Sequence, residues 1–450
     1  MEGEREGGDA LSEADGSRLH RVLRRAVDVR PEEVRATLLS AMYFFLVLSG
    51  WFVLRPMRDA VAASSGATNL SWLFTGTLGV MLVCIPVFSS LVVKFPVRRF
   101  IAITYHFFVV NLVAFYVLMR VAAPVEGSVR DIWIGRGFFV WTSVFNLFVT
   151  SVFWSFMADY FRSGQAKRLF GFIAVGGSLG SVAGSAVTVA LARQIGTASL
   201  LLVTAVLLEI AVLVVTRFPA RPTSDAGDPG AAEPDRKPIG GSIWAGFTHV
   251  AGSPYLAGIA VFQILLTIGS TFLYFEQASL VGSAFADRAS RTTALAQIEL
   301  AAQALTLVTQ VFLTGRVIRW IGLAGALAFL PVVTLMGFGM LGAVPVFASL
   351  AIFTVLRRAG NFALTNPAME VLWTVVRRED KYKAKSFVET FLYRSGDLAG
   401  AWTYAGMTAL GLGFTGIAFA SVPVAAVWLV LGVWLGRRQA VLAQQGTRGE

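Results

Sequence analysis

The stretch from residue 36 to residue 61, "ATLLSAMYFFLVLSGWFVLRPMRDAV", decides the class of fold. It contains no charged side chain from Ala36 to Leu54, and then Arg55, Pro56, Arg58 and Asp59 follow. A helix needs about 20 mostly apolar residues to cross the hydrocarbon core of a membrane. The stretch therefore predicts a transmembrane helix that carries charged residues at membrane depth.

The rest of the chain repeats this apolar pattern. Of its 450 residues, 56% are hydrophobic and only 14% are charged, a composition typical of an integral membrane protein. We predict an all-α, polytopic membrane protein with twelve transmembrane helices. The predicted spans are 36–62, 70–94, 98–120, 131–158, 168–193, 197–217, 244–275, 291–315, 321–342, 345–374, 384–411 and 414–436.

Positive charge is unevenly distributed between the loops. The chain has 38 Lys and Arg against 27 Asp and Glu, a net charge of +11. The first tail, alternate loops and the last tail hold most of the basic residues, whereas the other loops hold Arg120, Arg130, Arg193, Arg288 and Arg291. Cytoplasmic loops of membrane proteins are enriched in Lys and Arg. This pattern predicts cytoplasmic termini and argues against nucleic-acid binding.

A polar stretch divides the chain near its middle. Residues 218–243 are rich in Pro, Gly, Ala and Asp and predict a cytoplasmic linker between six-helix bundles at 36–217 and 244–436. The halves also share residues at an offset of 219, such as Trp154 with Trp373 and Gly177 with Gly396. Two such repeats predict a major-facilitator arrangement. Residues 1–35 form a cytoplasmic tail with a candidate interfacial helix, and 437–450 form a second tail.

Motifs for catalysis or metal binding are missing from the sequence. Cys84 is the single cysteine, and three histidines lie on separate segments. No HExxH, GxSxG or phosphate-binding loop occurs. We therefore expect no enzyme activity, no cofactor and no metal site.

Six arginines lie at membrane depth, away from the ends of the predicted spans. Each charge at the centre of a transmembrane helix costs roughly 2.5–3.5 kcal/mol on insertion scales, so these side chains must face acids, water or a ligand. Spans 1, 4, 10 and 11 come from both halves and would border a central cavity. Arginine forks bind phosphate or carboxylate, which predicts a small anionic substrate. The six are Arg55, Arg58, Arg136, Arg357, Arg358 and Arg394.

Acidic residues on the same helices offer a structural alternative. Arg55 and Asp59 are four residues apart, as are Lys385 and Glu389, and Arg394 and Asp397 are three apart. Residues at these spacings share a helix face, so each pair could be a structural ion pair. Arg357 and Arg358 have Asn361 one turn away but no acid there.

Two further acids have no basic residue within four positions. Unless another helix supplies a partner for Glu276 or Glu299, burial would favour the protonated carboxyl and allow proton carriage. Hydrogen bonding to Gln277 or Gln303 is the alternative. Glu389 and Asp397 complete the set of coupling candidates.

Glycines recur every four residues in the fifth span, at Gly176, Gly180 and Gly184. This spacing strips one helix face of side chains and predicts a closely packed neighbouring helix.

Three stretches support a family resemblance. "FVLRPMRDAV" (52–61), "RLFGFIAVGGSLGSVAGSAV" (168–187) and "LRRAGNFALTNPAMEVLWTVVRREDKYKAKSFVETFLYRSGD" (356–397) resemble bacterial relatives of the ATP:ADP antiporters, the nucleotide translocases. The resemblance implies a twelve-span carrier of the bacterial inner membrane that exchanges nucleotides. It also implies phosphate-facing roles for Arg55, Arg58, Asp59, Arg357, Arg358, Lys385 and Arg394.

The chain departs from that family in two places. We associate an intramembrane lysine and an acid in the fifth span with true nucleotide carriers, but the deepest basic residues here are arginines and the interior of this span is uncharged. The sequence is therefore more similar to the family's free-living relatives. We expect a secondary transporter of an organic or phosphorylated anion, with nucleotide exchange as the specific candidate. The alternative is a non-transporting sensor or assembly protein with structural intramembrane ion pairs.

Overall fold

The computed structural model describes residues 29–94, 97–122, 125–219, 250, 252–376, 384–385 and 387–446. Within this part of the chain the long elements are all helices. They are α1 (Val34–Ala63), α2 (Ala67–Lys94), α3 (Val97–Val117), α4 (Val129–Tyr160), α5 (Ser163–Leu191), α6 (Leu200–Thr216), α7 (Pro254–Ala284), α8 (Arg288–Phe312), α9 (Thr314–Ala343), α10 (Phe347–Gly360), α11 (Tyr393–Ala409) and α12 (Phe414–Gly446).

Short helical segments extend several of these helices. A 3₁₀ turn, Pro31–Glu33, leads into α1, and a π turn, Leu118–Ala122, ends α3. Helix α10 passes through the π turn Asn361–Thr365 into the helix Asn366–Leu372, and the π turn Phe387–Leu392 precedes α11. Within each half, consecutive helices follow one another through short connections. We call the side where α1 begins the terminal face and the side where α1 ends the distal face.

Ten helices in the described ranges are long and apolar enough to cross a membrane. Helices α10 and α11 are the two that do not meet this criterion: they are 14 and 17 residues long, adjoin π turns and carry Arg357, Arg358, Arg394 and Asp397. The predicted all-α, multi-pass membrane fold is confirmed. Charge and irregular backbone are concentrated in two neighbouring helices of the second half.

The predicted seventh span began too early. It was expected at 244–275, whereas α7 runs from Pro254 to Ala284. The Ser253 hydroxyl accepts a hydrogen bond from the Leu256 amide, and proline occupies the first helical position, where it needs no backbone N–H donor. Hydropathy alone missed this start signal. As a result, Glu276 lies inside α7 rather than near its outer end.

Other predicted boundaries match closely or cannot be compared. The twelfth span was expected to end at 436, but α12 continues to Gly446 through good helix formers such as Gln, Ala and Leu. Most of the first tail, with its candidate interfacial helix, most of the linker and residues 447–450 lie outside the described residues. The division into domains stays a prediction.

The glycine face of α5 packs directly on α1. A Cβ added to Gly176, Gly180 or Gly184 would collide with the backbone carbonyl oxygen of Ala41, Phe45 or Ser49, respectively. The Ser49 hydroxyl donates a hydrogen bond of 3.0 Å to the Gly180 carbonyl. The predicted close helix contact is confirmed, and α1 is its partner. Helix α1, which carries Arg55 and Arg58, is thus fixed to α5.

Four helix pairs form most of the contact between the two halves: α5 with α8, α2 with α11, α1 with α8 and α1 with α7. Helices α3, α6, α9 and α12 pack mainly within their own half. The charged parts of α1 and α11 therefore lie where the halves meet, and Arg358 of α10 reaches the same region through Glu299, which also binds Arg55.

Candidate substrate site

The central parts of four helices bring together most of the predicted site residues. We call this group the central charge cluster: Arg55, Arg58, Asp59, Glu299, Arg357, Arg358, Arg394 and Asp397. It contains five arginines and three carboxylates, so positive charge exceeds negative charge by two. Helices α1, α8, α10 and α11 supply these residues, so both halves contribute.

Glu299 on α8 binds two arginines of the cluster. Its carboxylate lies 3.2 Å from the Arg55 guanidinium and contacts the Arg358 guanidinium even more closely. The Glu299 side chain is only 2% exposed and also accepts a hydrogen bond of 2.8 Å from Gln303. The expectation that Glu299 lacks a basic partner applied to its own helix. Two other helices supply partners, which removes the reason to consider it a free proton carrier.

Asp59 has a different main partner from the one its spacing suggested. The Tyr274 hydroxyl donates a hydrogen bond of 2.8 Å to Asp59, whereas Arg55 lies 4.0 Å away at the limit of an ion pair. Tyr274 belongs to α7, in the other half of the chain. The "RPMRD" stretch is therefore tied to the second half through both Glu299 and Tyr274.

Arg357 is a buried cation held by uncharged groups. Its guanidinium donates hydrogen bonds to the Leu266 carbonyl and the Ser270 hydroxyl, both at 2.9 Å, and to the Thr334 hydroxyl at 3.2 Å. No carboxylate of the described residues forms an ion pair with it. A buried charge without a counter-ion is costly, which makes a structural role alone a poor explanation.

Arg58 lies between aromatic rings. Its guanidinium is 4.3 Å from the Phe139 ring centre and 5.9 Å from that of Tyr274. Its Nε has no hydrogen-bond partner among the described residues, and no ion pair forms there. Cation–π contacts favour a cation at this place but leave its hydrogen-bond donors available.

A central cavity of about 110 Å³ lies beside Arg58. Trp51, Asn146, Arg394 and Asp397 also line it. Arg394 and Asp397 are 3.8 Å apart, and Asp397 accepts a hydrogen bond of 3.2 Å from Thr271. One buried water needs roughly 10–15 Å³ of cavity volume, so this cavity has room for several waters.

Three predicted substrate-binding residues lie outside the cluster. The Arg136 guanidinium is 4.9 Å from the Trp133 ring centre and does not line the central cavity. Lys385 binds Glu370 at 2.7 Å and Glu389 at 3.6 Å, near the terminal face. Asn361 opens the π turn of α10, and its buried Oδ1 has no hydrogen-bond partner among the described residues.

Glu276 differs from the other coupling candidates. It is fully buried, and neither carboxyl oxygen has a protein hydrogen-bond partner of ordinary geometry within the described ranges. The Tyr404 hydroxyl is the polar group that faces it. The alternative of hydrogen bonding to Gln277 is therefore not observed for Glu276, whereas Gln303 does bond to Glu299.

Helix α7 has a polar face that was not predicted from the sequence. Thr267, Ser270, Thr271 and Tyr274 recur at spacings of three or four in an otherwise apolar helix, and Ser270, Thr271 and Tyr274 contact the central charge cluster. Helical residues at this spacing share one face. The regular spacing of these polar residues could have identified this face, but the predicted site residues were chosen mainly by their charge.

Ion pairs also join the halves at the distal face. Asp131 at the start of α4 binds Arg288 at 2.6 Å, and Glu126 lies 3.6 Å from Arg291. Nearby, a Cβ on Gly282 would collide with the Ala63 carbonyl oxygen, so the distal ends of α7 and α1 touch. We call these contacts the distal latch.

A larger cavity, of about 490 Å³, lies toward the terminal face. Helix α7, the continuation of α10 and the π turn before α11 form its walls. We call it the terminal cavity; its lining includes Gln263, Phe362, Asn366, Glu370, Trp373, Glu389 and Tyr393.

Comparison with solved structures identifies the fold. The chain is similar to a D-xylose–proton symporter (12% identity, TM-score 0.58, 90% of this chain and 96% of that chain covered). It is also similar to the POT family transporter PepTSo (13%, 0.56, 92% and 99%) and the nucleoside transporter NupG (14%, 0.53, 91% and 98%). The chain thus has the major-facilitator fold. No family model matches the sequence, and no curated protein sequence is detectably similar to it.

Proposed function

We propose that this protein is a secondary carrier that moves a small organic or phosphorylated anion by alternating access. The fold supports this proposal, since the structures it resembles are those of transporters. The membrane-depth site lies between the two halves, where alternate opening of the two faces would expose it to each side in turn.

The excess of positive charge in the central charge cluster is the observation that carries the proposal. Among the described residues of the cluster, Arg58 and Arg357 are the arginines that form no ion pair with a carboxylate, and a bound anion would supply the missing negative charge. Guanidinium groups bind phosphate and carboxylate through paired hydrogen bonds, which favours these anions over sugars or cations. Arg55, Arg358 and Arg394 stand close by, but each already has an acid.

The conformation described here is closed around this site. The central cavity, of about 110 Å³, has room for only several waters, so a substrate must enter after the walls of the cavity separate. Consecutive residues of α11 line the two cavities, Tyr393 the terminal cavity and Arg394 the central one. We infer that entry in this state is from the terminal face, which the charge distribution predicts to be cytoplasmic in the bacterial inner membrane.

A nucleotide is the specific substrate that we propose to test first, with nucleotide exchange as the transport reaction. The resemblance of residues 52–61 and 356–397 to ATP:ADP antiporter relatives supports it, and NupG is a nucleoside transporter by name. A thermal-stability screen of the purified protein against nucleotides, other phosphate esters and carboxylates would identify the anion. Counterflow of the best ligand in proteoliposomes would then test transport.

Replacement of both Arg357 and Arg358 by Gln gives the sharpest variant for that experiment. We expect anion binding to disappear while the protein still purifies as a folded species. Arg130→Gln, at an exposed residue of α4 near the distal face, is the matched control and should bind normally. Unchanged affinity in a folded double variant would exclude α10 from the site.

A sensor or assembly protein is the second candidate. The joining of α1, α8 and α10 through Arg55, Glu299 and Arg358 favours it, because such a network can hold helices together without any substrate. A sensor would bind an anion but show no flux, and an assembly protein would show neither. Counterflow and thermal stabilisation together separate the three functions.

Proton coupling is a further proposal, and Glu276 is its best-supported residue. Burial without a counter-ion favours a protonated carboxyl, and a change in packing could release the proton. Asp397 and Glu389 have basic partners, so they are weaker candidates. Flux driven by an imposed pH gradient would support coupling.

A further inference from the structure

The terminal cavity has walls of an unusual kind. Both α10 and the segment before α11 pass through π turns there, at Asn361–Thr365 and Phe387–Leu392. A π turn inserts an extra residue into a helix and is frequent at functional sites. Phe362, Glu389 and Tyr393, in or directly after these turns, face the cavity.

The terminal cavity is lined by negative charge, whereas the central charge cluster has an excess of positive charge. Glu370 and Glu389 line the terminal cavity, and Lys385 lies between them. Lys385 binds Glu370 through both carboxylate oxygens, at 2.7 and 2.8 Å, but Glu389 through one at 3.6 Å. Glu389 is 48% exposed, so its carboxylate is the less satisfied of the two and is accessible to a ligand.

The remaining lining residues suit an organic cation. Phe362 and Tyr393, both partly exposed, contribute aromatic rings to the lining of the cavity. Aromatic faces attract ammonium groups, and a nearby carboxylate adds charge complementarity. A second anionic group would be repelled by Glu389 and Glu370. The cavity therefore favours a positively charged group over a negatively charged one.

The two regions are close enough for one molecule. Glu389 and Arg394 are five residues apart on the same segment, which corresponds to about 7 Å along a helix axis. Tyr393 lies between them in the sequence and lines the terminal cavity, and it directly precedes Arg394, which lines the central cavity. A short flexible substrate could place one end in each region.

We propose that the substrate is a zwitterion, with its anionic group at the central charge cluster and an amino group at Glu389 in the terminal cavity. This inference rests on the proposed anion site and adds the class of substrate. The same chemistry occurs in free aminoalkyl phosphates and in aminophospholipid headgroups. Glu389 would then determine specificity rather than carry protons.

Two probes that differ only in the amino group test this inference: hexyl phosphate and 6-aminohexyl phosphate. Binding to the purified full chain is measured by calorimetry for wild type, Glu389→Gln, Lys385→Met and the exposed control Glu32→Gln. We expect wild type and the control to prefer the amine by about tenfold. Glu389→Gln should lose this preference and keep its affinity for hexyl phosphate, whereas Lys385→Met should increase the preference.

Each outcome bears on a different claim. Equal affinity of the wild type for both probes would overturn the zwitterion inference and leave the anion site intact. Binding of neither probe would overturn both. Competition by lysophosphatidylethanolamine distinguishes the sources: stronger competition than by 6-aminohexyl phosphate assigns the site to lipid headgroups, and weaker competition assigns it to free zwitterions.

Discussion

The distal and terminal faces of the molecule differ in the contacts between the two bundles. At the distal face, Asp131 binds Arg288, Glu126 binds Arg291 and Gly282 packs on Ala63. In the described residues, the ion pairs that cross between the bundles lie at this face or in the central charge cluster. Toward the terminal face lies the cavity of about 490 Å³.

Under the proposed function, this difference gives the direction of the next movement in the transport cycle. A carrier that alternates must exchange a closed face for an open one. Opening the distal face requires the loss of two ion pairs and of one close backbone contact. At the terminal face, the walls of the terminal cavity would move together. The central charge cluster lies between the two faces.

The largest effect is expected from a block of distal closure. In Gly282→Leu the new side chain would collide with the Ala63 carbonyl, and nearby backbone cannot yield as a flexible side chain would. We expect transport to be abolished and the distal face to stay open. Gly339→Leu is the control, since nothing lies within 4 Å of a Cβ there.

Counterflow in proteoliposomes measures the loss of transport. Spin labels at Thr68→Cys and Val346→Cys, in a Cys84→Ser background, report the distance between the halves at the distal face. A distance distribution identical to that of Gly339→Leu would show that closure does not depend on this contact.

A smaller effect is expected from weakening the latch itself. Asp131→Asn removes the charge that binds Arg288 while preserving the shape of the side chain. A hydrogen bond to a charged group contributes about 1.5–3 kcal/mol, so the balance of closed and open states should shift by roughly tenfold to a hundredfold. The same spin-label pair measures this shift. Exchange of the charges, Asp131→Arg with Arg288→Asp, should restore part of the closure, and failure to do so would indicate a role other than pairing.

The substitution Arg58→Lys tests the central charge cluster, which lies between the two faces. Lysine keeps the positive charge but loses the planar fork and its contact with the Phe139 ring, so we expect anion flux to fall by about tenfold. The distal distance should not change, because Arg58 forms no latch contact. Normal flux with both Arg58→Lys and Arg58→Gln, at equal expression, would mean that "RPMRD" merely ends a helix.

Glu276→Gln should give the smallest change. Glutamine resembles the protonated carboxyl in shape but cannot release a proton, so binding should persist while the response of flux to a pH gradient disappears. Flux by wild type and variant is compared in vesicles with and without an imposed gradient. If the wild type itself ignores the gradient, Glu276 is a structural residue.

The features that could be predicted from the sequence are those that depend on the residues of a single helix. The glycine spacing of α5 predicted a close contact, and charges at membrane depth predicted that Arg55, Arg58, Arg357 and Arg394 would lie between helices. Pairing across helices could not be predicted, since nothing in the order of residues shows that Glu299 faces both Arg55 and Arg358. The distal latch was missed for the same reason.

The glycine face of α5 has a consequence for how freely this chain can vary. Gly176, Gly180 and Gly184 each meet a backbone carbonyl of α1, so even a methyl group there would force two helices apart. A saturation library should find almost no functional alternative at these three sites, while Gly164 and Gly171, which have open space, should accept many residues. Such a tolerance map would trace the seam between α1 and α5 without any knowledge of the substrate.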